Sequence, residues 1–189
     1  MEYDIRDIRD DGLRVSRHLG PGEVHALLLP VGVEPVPDTG EADLDLTLRL
    51  VETTGMRGGV AVAVQGRISG RFAVPCARCL APATVEVQEP DVLLTFLPPS
   101  AADPGREELK QEDLDTYVHD GKLIDLVPVV REQLVLAIPI TPLCQEDCKG
   151  ICTTCGADLN QSPCSCARAE ASTSPWVEAL AKLKDNEGT

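Results

Sequence analysis

Six cysteines stand between Cys144 and Cys166, in the order Cys144, Cys148, Cys152, Cys155, Cys164 and Cys166. The other two, Cys76 and Cys79, lie far upstream as a second Cys-x-x-Cys pair. Eight thiols arranged in this way demand disulfides, metal or redox chemistry, and each choice dictates a different fold. The spacing favours metal. In Cys152-Thr-Thr-Cys155-Gly156 two intervening residues let a tight turn aim both sulfurs at one point. Gly156 suits the left-handed backbone such a turn needs. Zinc takes four thiolates tetrahedrally at about 2.3 Å. Disulfide frameworks belong to oxidising compartments. The acidic start MEYDIRDIRDD has no apolar core of a secretory signal, so a cytoplasmic chain is expected.

Eight is twice four. One partition gives two sites, Cys152, Cys155, Cys164 and Cys166 in one, Cys76, Cys79, Cys144 and Cys148 in the other. The second would tie the body of the chain to its C-terminal part. The rival partition is a single ion inside the Cys144–Cys166 segment with Cys76 and Cys79 left out. Both keep Cys152 and Cys155, so the expectation is one or two zinc ions per chain.

The chain has 189 residues, which suits one domain plus a small appendage. Aromatics make up only 3% of it, so its core must be aliphatic. No apolar run is long enough to span a membrane. The expected fold is α+β and β-rich: an antiparallel sheet or partial barrel packed by one main helix. A β-rich body over 1–140 is followed by a zinc-binding cysteine segment over 141–168, then a linker and short tail helix over 169–189.

Period-two alternation carries the strands. Leu44, Leu46, Leu48 and Leu50 alternate with Asp45, Thr47 and Arg49. Val60, Val62 and Val64 repeat the pattern, and Ile68, Phe72 and Val74 lead into Cys76. Val85, Val87 and then Val92 to Leu97 follow Cys79, which places the first Cys-x-x-Cys in a hairpin-like connection. The N-terminal 30 residues read as short strands around the Gly20-Pro21-Gly22 breaker, with Val24 to Leu29 as one of them. Pro98 to Tyr117 reads as an exposed acidic loop with a short helical turn at Glu107 to Lys110. Lys122 to Ile138 reads as the main helix, capped by Asp125, with Pro128 in its first turn and Arg131, Glu132 and Gln133 on its wet side. Ser174-Pro175-Trp176 opens a tail helix whose lone Trp176 is its anchor.

Formal charge is −14, which opposes simple phosphate-driven binding of nucleic acid and favours basic partners. One stretch, Thr53 to Val85, holds Arg57, Arg67, Arg71 and Arg78 with no acidic residue. It reads either as solvent-facing strand positions or as a contact surface for RNA or an acidic partner. An enzyme is not expected. Pro75-Cys76-x-x-Cys79 matches half of the zinc deaminase signature, but none of His18, His25 and His119 is followed two positions later by Glu. All-cysteine sites are closed and structural, leaving no coordination position for substrate. A redox or metal-sensing switch at Cys76 and Cys79 is a further alternative.

The ordered set Pro75-Cys76-Ala77-Arg78-Cys79-Leu80, Ile124-Asp125-Leu126, Gln133-Leu134-Val135-Leu136, Pro139, Pro142-Leu143-Cys144, Cys148-Lys149-Gly150-Ile151-Cys152, Cys155-Gly156-Ala157-Asp158-Leu159-Asn160 and Cys164-x-Cys166 resembles the YceD family of large ribosomal RNA subunit accumulation proteins. The resemblance runs from about residue 60 to the end. It implies a cytoplasmic, non-enzymatic factor of bacteria or plastids that supports synthesis, processing or accumulation of large-subunit ribosomal RNA. The implied partners are ribosomal RNA, a pre-ribosomal particle or a large-subunit ribosomal protein, with no membrane and no small-molecule substrate. An acidic module that shields a basic ribosomal protein is the competing reading of the same charge.

Overall fold

The computed structural model describes residues 1–51, 60–99 and 115–166. Two units divide the chain, one over Met1–Glu146 and one from Asp147 onward. The expected tail helix with Trp176, the residue Arg57 and the turn at Glu107 to Lys110 lie outside the described residues.

The first unit is built on a five-stranded sheet. Its strands are β2 (Leu13–Leu19), β3 (Glu41–Val51), β4 (Ala61–Pro75), β5 (Pro82–Leu97) and β6 (Thr116–Val118), hydrogen-bonded in that order. All neighbours are antiparallel except β5 and β6, which are parallel. The sheet is therefore mixed rather than wholly antiparallel. A separate antiparallel pair joins β1 (Glu2–Asp4) to β7 (Leu123–Asp125).

Alternation decides which face is buried. Leu44, Leu46 and Leu48 point inward from β3, and Val62, Val64, Ile68, Phe72 and Val74 from β4. Val85, Val87, Val92, Leu94 and Phe96 complete the layer from β5. Truncating one of the leucines, Ile68 or a phenylalanine of this layer to Ala removes transfer energy and leaves a cavity, a loss of about 2–5 kcal/mol. Segments expected as several short strands are two long ones. A register shift between Gly66 and Ile68 lets β4 continue instead of breaking.

Two helices, not one, cover the buried face. Val24 to Leu29, expected as a strand, lies mostly in helix α1 (Pro21–Leu28). Pro21 sits at its start, where a missing N–H is harmless, and the Glu23 carboxylate accepts from the Gly20 N–H at 3.2 Å. Val24, Leu27 and Leu28 are then spaced to bury one helical stripe. Helix α2 (Val127–Leu136) is shorter than the expected Lys122–Ile138, because Leu123–Asp125 pairs with β1. Its N-cap is Leu126 rather than the expected Asp125, which stands one residue earlier and accepts from the Val127 N–H at 2.9 Å, and Pro128 falls in its first turn. Arg131, expected on the wet side, instead donates from Nε to the Leu27 carbonyl at 2.7 Å. It thereby satisfies an oxygen in the last turn of α1 and ties the two helices together.

In the second unit, residues 147–166 form a small turn-rich knot. Only Cys148 and Gly150 are buried among them, so it has no apolar core of its own.

Candidate metal centre

Cys76 follows directly on the last residue of β4, and the chain must reverse within six residues to start β5 at Pro82. It does so through a knuckle. The Cys76 N–H donates to the Ala81 carbonyl at 2.8 Å, and the Leu80 N–H donates back to the Cys76 carbonyl at 3.0 Å. Closing that turn forces Leu80 into the left-handed region at φ 63°. The Arg78 N–H then points at the Cys76 sulfur, 3.4 Å away. The Ala77 N–H reaches the Pro142 carbonyl at 2.8 Å, which brings the segment after α2 alongside the knuckle. Cys144 arrives with it, and its sulfur lies 3.5 Å from that of Cys79.

The second unit repeats the device. The Cys152 N–H donates to the Ala157 carbonyl and the Gly156 N–H to the Cys152 carbonyl, both at 2.8 Å. Gly156 takes the left-handed conformation at φ 73°. Cys152, Cys155, Cys164 and Cys166 are gathered here, with all four sulfurs within 4.8 Å of one another. The sulfurs of Cys76, Cys79 and Cys144 in the first unit satisfy the same limit. No disulfide joins any of the eight cysteines.

A tetrahedron of thiolates about 2.3 Å from zinc has sulfurs about 3.8 Å apart, so these groups match such an ion in donor type and spacing. Burial works against ionisation of Cys76, but the N–H groups of Arg78, Cys144 and Cys79 and the Cys79 thiol outweigh it and hold the thiol at about 6. The N–H groups of Cys155 and Thr154, with the thiols of Cys164 and Cys155, hold Cys152 at about 6 against burial. Cys166, hydrogen-bonded to Cys155, further buried and facing its charge, is pushed up to about 12. Cys164 is raised by its hydrogen bond to Cys152. In the second group Cys152 is thus the sulfur held down and Cys164 and Cys166 the ones pushed up, and a divalent cation binding there would displace protons.

Cys148 lies in the second unit and is buried. Its sulfur accepts from the Asn160 side-chain amide at 3.4 Å. Asn160 was visible in the sequence only as part of a motif. Its partner is twelve residues away, and no local pattern reveals a single donor aimed at a sulfur.

The arginines are placed differently. Arg67 and Arg71 project from the solvent face of β4. Asp45 on β3 accepts from Arg14 Nε and Nη2 at 3.1 and 3.2 Å and from Arg67 at 3.3 Å. Arg71 lies 3.8 Å from Glu41. Two of the four arginines expected to contact RNA or an acidic partner, Arg67 and Arg71, therefore face a carboxylate on the neighbouring strand. Arg78 is in the first knuckle, between the two cysteines.

The family model for large ribosomal RNA subunit accumulation protein YceD matches residues 64–184. An uncharacterized protein of Mycobacterium tuberculosis is 33% identical over 133 residues, 70% of this chain and 59% of that protein. The large ribosomal RNA subunit accumulation protein YCED homolog 1, chloroplastic, of Arabidopsis thaliana is 35% identical over 92 residues, 44% of this chain and 29% of that protein. Its maize namesake is 28% identical over 151 residues, 68% of this chain and 51% of that protein. The chain spans 59% of the length of the mycobacterial relative. No solved structure gives a significant match. No helix among the described residues is long and apolar enough to cross a membrane. Because the matched region takes in both knuckles and every cysteine, the chain belongs to the YceD family of large ribosomal RNA subunit accumulation proteins.

Proposed function

We propose that this protein is a non-enzymatic cytoplasmic factor that supports accumulation of large-subunit ribosomal RNA by binding a pre-ribosomal particle. The family match over residues 64–184 carries the reading, and the printed names of the two plant relatives agree with it. Structural zinc belongs to the same proposal. One ion is held by Cys152, Cys155, Cys164 and Cys166. A second candidate group is Cys76, Cys79 and Cys144, gathered at the first knuckle. Four thiolates close the coordination sphere at Cys152, Cys155, Cys164 and Cys166, which suits scaffolding rather than catalysis.

Two modes of contact compete. Phosphate binding by Arg67, Arg71 and Arg78 requires cations free to displace counterions. Asp45 and Glu41 already face the first two, and the whole chain carries −14. These observations favour a basic large-subunit ribosomal protein as the direct partner, recruited electrostatically. Affinity capture before and after ribonuclease treatment tests this. Retention of a basic ribosomal protein after ribonuclease is the expected result. Loss of every partner assigns the contact to RNA. Deletion of the gene should lower large-subunit relative to small-subunit ribosomal RNA, and an unchanged ratio overturns the functional reading.

A further inference from the structure

Strand β5 is covered along only part of its outer edge. β6 pairs with it at Thr95, Phe96 and Leu97. Among the described residues no strand pairs with Pro82–Asp91 on the side away from β4. The two stretches meet at the register shift, where Gly66 pairs with Val92 but Ile68 with Glu89, so that Pro90 and Asp91 together stand opposite Arg67. Beyond the shift the Thr95 N–H donates to the Asp115 carbonyl at 2.9 Å, and the Leu97 carbonyl accepts from the His119 N–H at 3.0 Å. Thr95 and Leu97 alternate with the buried Val92, Leu94 and Phe96, so their side chains turn to the outer face. In a strand of L-residues, the face a side chain takes and the edge its own N–H and C=O take are linked by chirality. Before the shift the buried residues are Ala83, Val85 and Val87. Thr84, Glu86 and Gln88 therefore aim their N–H and C=O groups at the open edge. Helix α2 runs beside it. A cleft of about 500 Å³ lies between Glu86, Gln88 and Glu89 of the strand and Gln133 and Leu136 of the helix, and no Lys or Arg lines it. Leu136 is 70% exposed there.

We infer that this edge is a strand-addition site, where an extended basic segment of a partner protein lies beside α2 as a further strand of the sheet. This rests on the basic-partner reading above and gives that partner its place. An open edge offers main-chain donors and acceptors to any extended chain, and the flanking side chains choose among candidates. Alternate side chains of an added strand fall on opposite faces. Those on the outer face stand opposite Glu86 and Gln88, where Lys or Arg is favoured. Those on the inner face meet Leu136, where an aliphatic residue takes exposed apolar surface out of water. The segment recognised therefore alternates basic with aliphatic residues. Other occupants carry the wrong sign. A second copy of this chain brings the same acidic edge, and like charges directly opposite destabilise a pair of strands. The chain's own segment 100–114 sets Asp103, Glu107, Glu108, Glu112 and Asp113 against only Arg106 and Lys110.

The test uses the full chain and two short synthetic peptides, one alternating Lys with Val and one alternating Glu with Val. Amide exchange is read residue by residue by nuclear magnetic resonance. The Lys–Val peptide should bind and slow exchange at Thr84, Glu86 and Gln88, and the Glu–Val peptide should not bind. Glu86→Lys combined with Glu89→Lys should weaken the Lys–Val peptide at least about tenfold, since like charges then meet across the contact. N-methylating that peptide at every Lys, or at every Val, should abolish binding in one case only, because only alternate residues of an added strand turn their N–H to β5. This arm leaves the protein unaltered and decides the matter if the double variant does not fold. Binding without slowed exchange at the three amides overturns the site but leaves the basic-partner reading standing. Failure of the Lys–Val peptide to bind also overturns the site, and the ribonuclease-resistant capture described above then judges the basic-partner reading separately. Slow exchange at the three amides in the peptide-free chain overturns it as well, a dimer by sedimentation assigning the edge to a second copy and a monomer assigning it to the chain's own segment.

Discussion

Leu80 and Gly156 occupy the same position in the two knuckles. Each follows the second cysteine of its pair, and each returns its N–H to the carbonyl of the first cysteine. Their φ angles are 63° and 73°. Only Gly156 adopts that region without a clash at Cβ. Leu80 is 69% exposed, so its side chain recovers little by packing. Leu80→Gly should therefore stabilise the protein by about 1 kcal/mol, and Gly156→Ala should destabilise the second knuckle by a similar amount. Chemical denaturation read by circular dichroism checks the first; a Leu80→Gly variant less stable than wild type would show that the leucine makes contacts worth more than the strain.

Residues 147–166 bury only Cys148 and Gly150, so their order depends on the proposed thiolate clamp. Cys152→Ser combined with Cys155→Ser should lower bound zinc by at least one ion and abolish protection of amide protons in the hairpin, because binding free energy there is folding free energy. Chelation of the wild type should do the same. Hydrogen exchange that stays slow in this segment after metal removal would contradict the assignment.

Gly66 lets β4 pass close to β3. A Cβ built on it would lie 2.1 Å from the Asp45 carbonyl oxygen and 2.8 Å from Leu46 Cα, both backbone atoms that cannot swing aside. Gly66→Ala should cost about 2–3 kcal/mol, at the upper end of ordinary substitutions. A thermal melt distinguishes this from the few tenths expected at an unconstrained strand glycine, and a near-neutral result would mean the sheet can shift without loss.

His18 on β2 pairs with Asp43 on β3 at 2.9 Å, and that hydrogen bond, with the carboxylate's charge, raises the imidazole above its ordinary 6.5. A raised folded value means the pair stabilises the fold fully below 6.5 and loses that contribution as pH rises through the shifted value. Asp43→Asn should bring the titration back toward 6.5. Nuclear magnetic resonance of the ring protons reads it directly, and an unmoved midpoint would assign the shift to Glu41 and Glu23 instead.

Strand positions that depend on nearest neighbours were legible in the chain. Alternation placed Leu44, Leu46 and Leu48 on a buried face, and the Cys76 turn fell between two strands as the flanking patterns required. The helix at Pro21–Leu28 was also written locally, in Pro21, Glu23 and the Val24, Leu27, Leu28 spacing. The expectation of a strand there gave the breaker Gly20-Pro21-Gly22 the role of a turn when it was a helix start. The truncated start of α2 was not local at all. Leu123–Asp125 extends because β1, more than a hundred residues earlier, offers it a ladder.

The cysteine spacing by itself determined that sulfur would gather at tight turns, because two residues between thiols leave the backbone few ways to close. Which sulfurs gather was decided by tertiary structure: the Ala77 to Pro142 hydrogen bond carries Cys144 to Cys79. The same holds for charge. Sequence distance made the arginines after Thr53 look unopposed, yet β3 lies beside β4 and sets Asp45 and Glu41 against Arg67 and Arg71. Electrostatics follows distance in space, and pairing of strands is what converts a basic stretch of chain into a neutralised face.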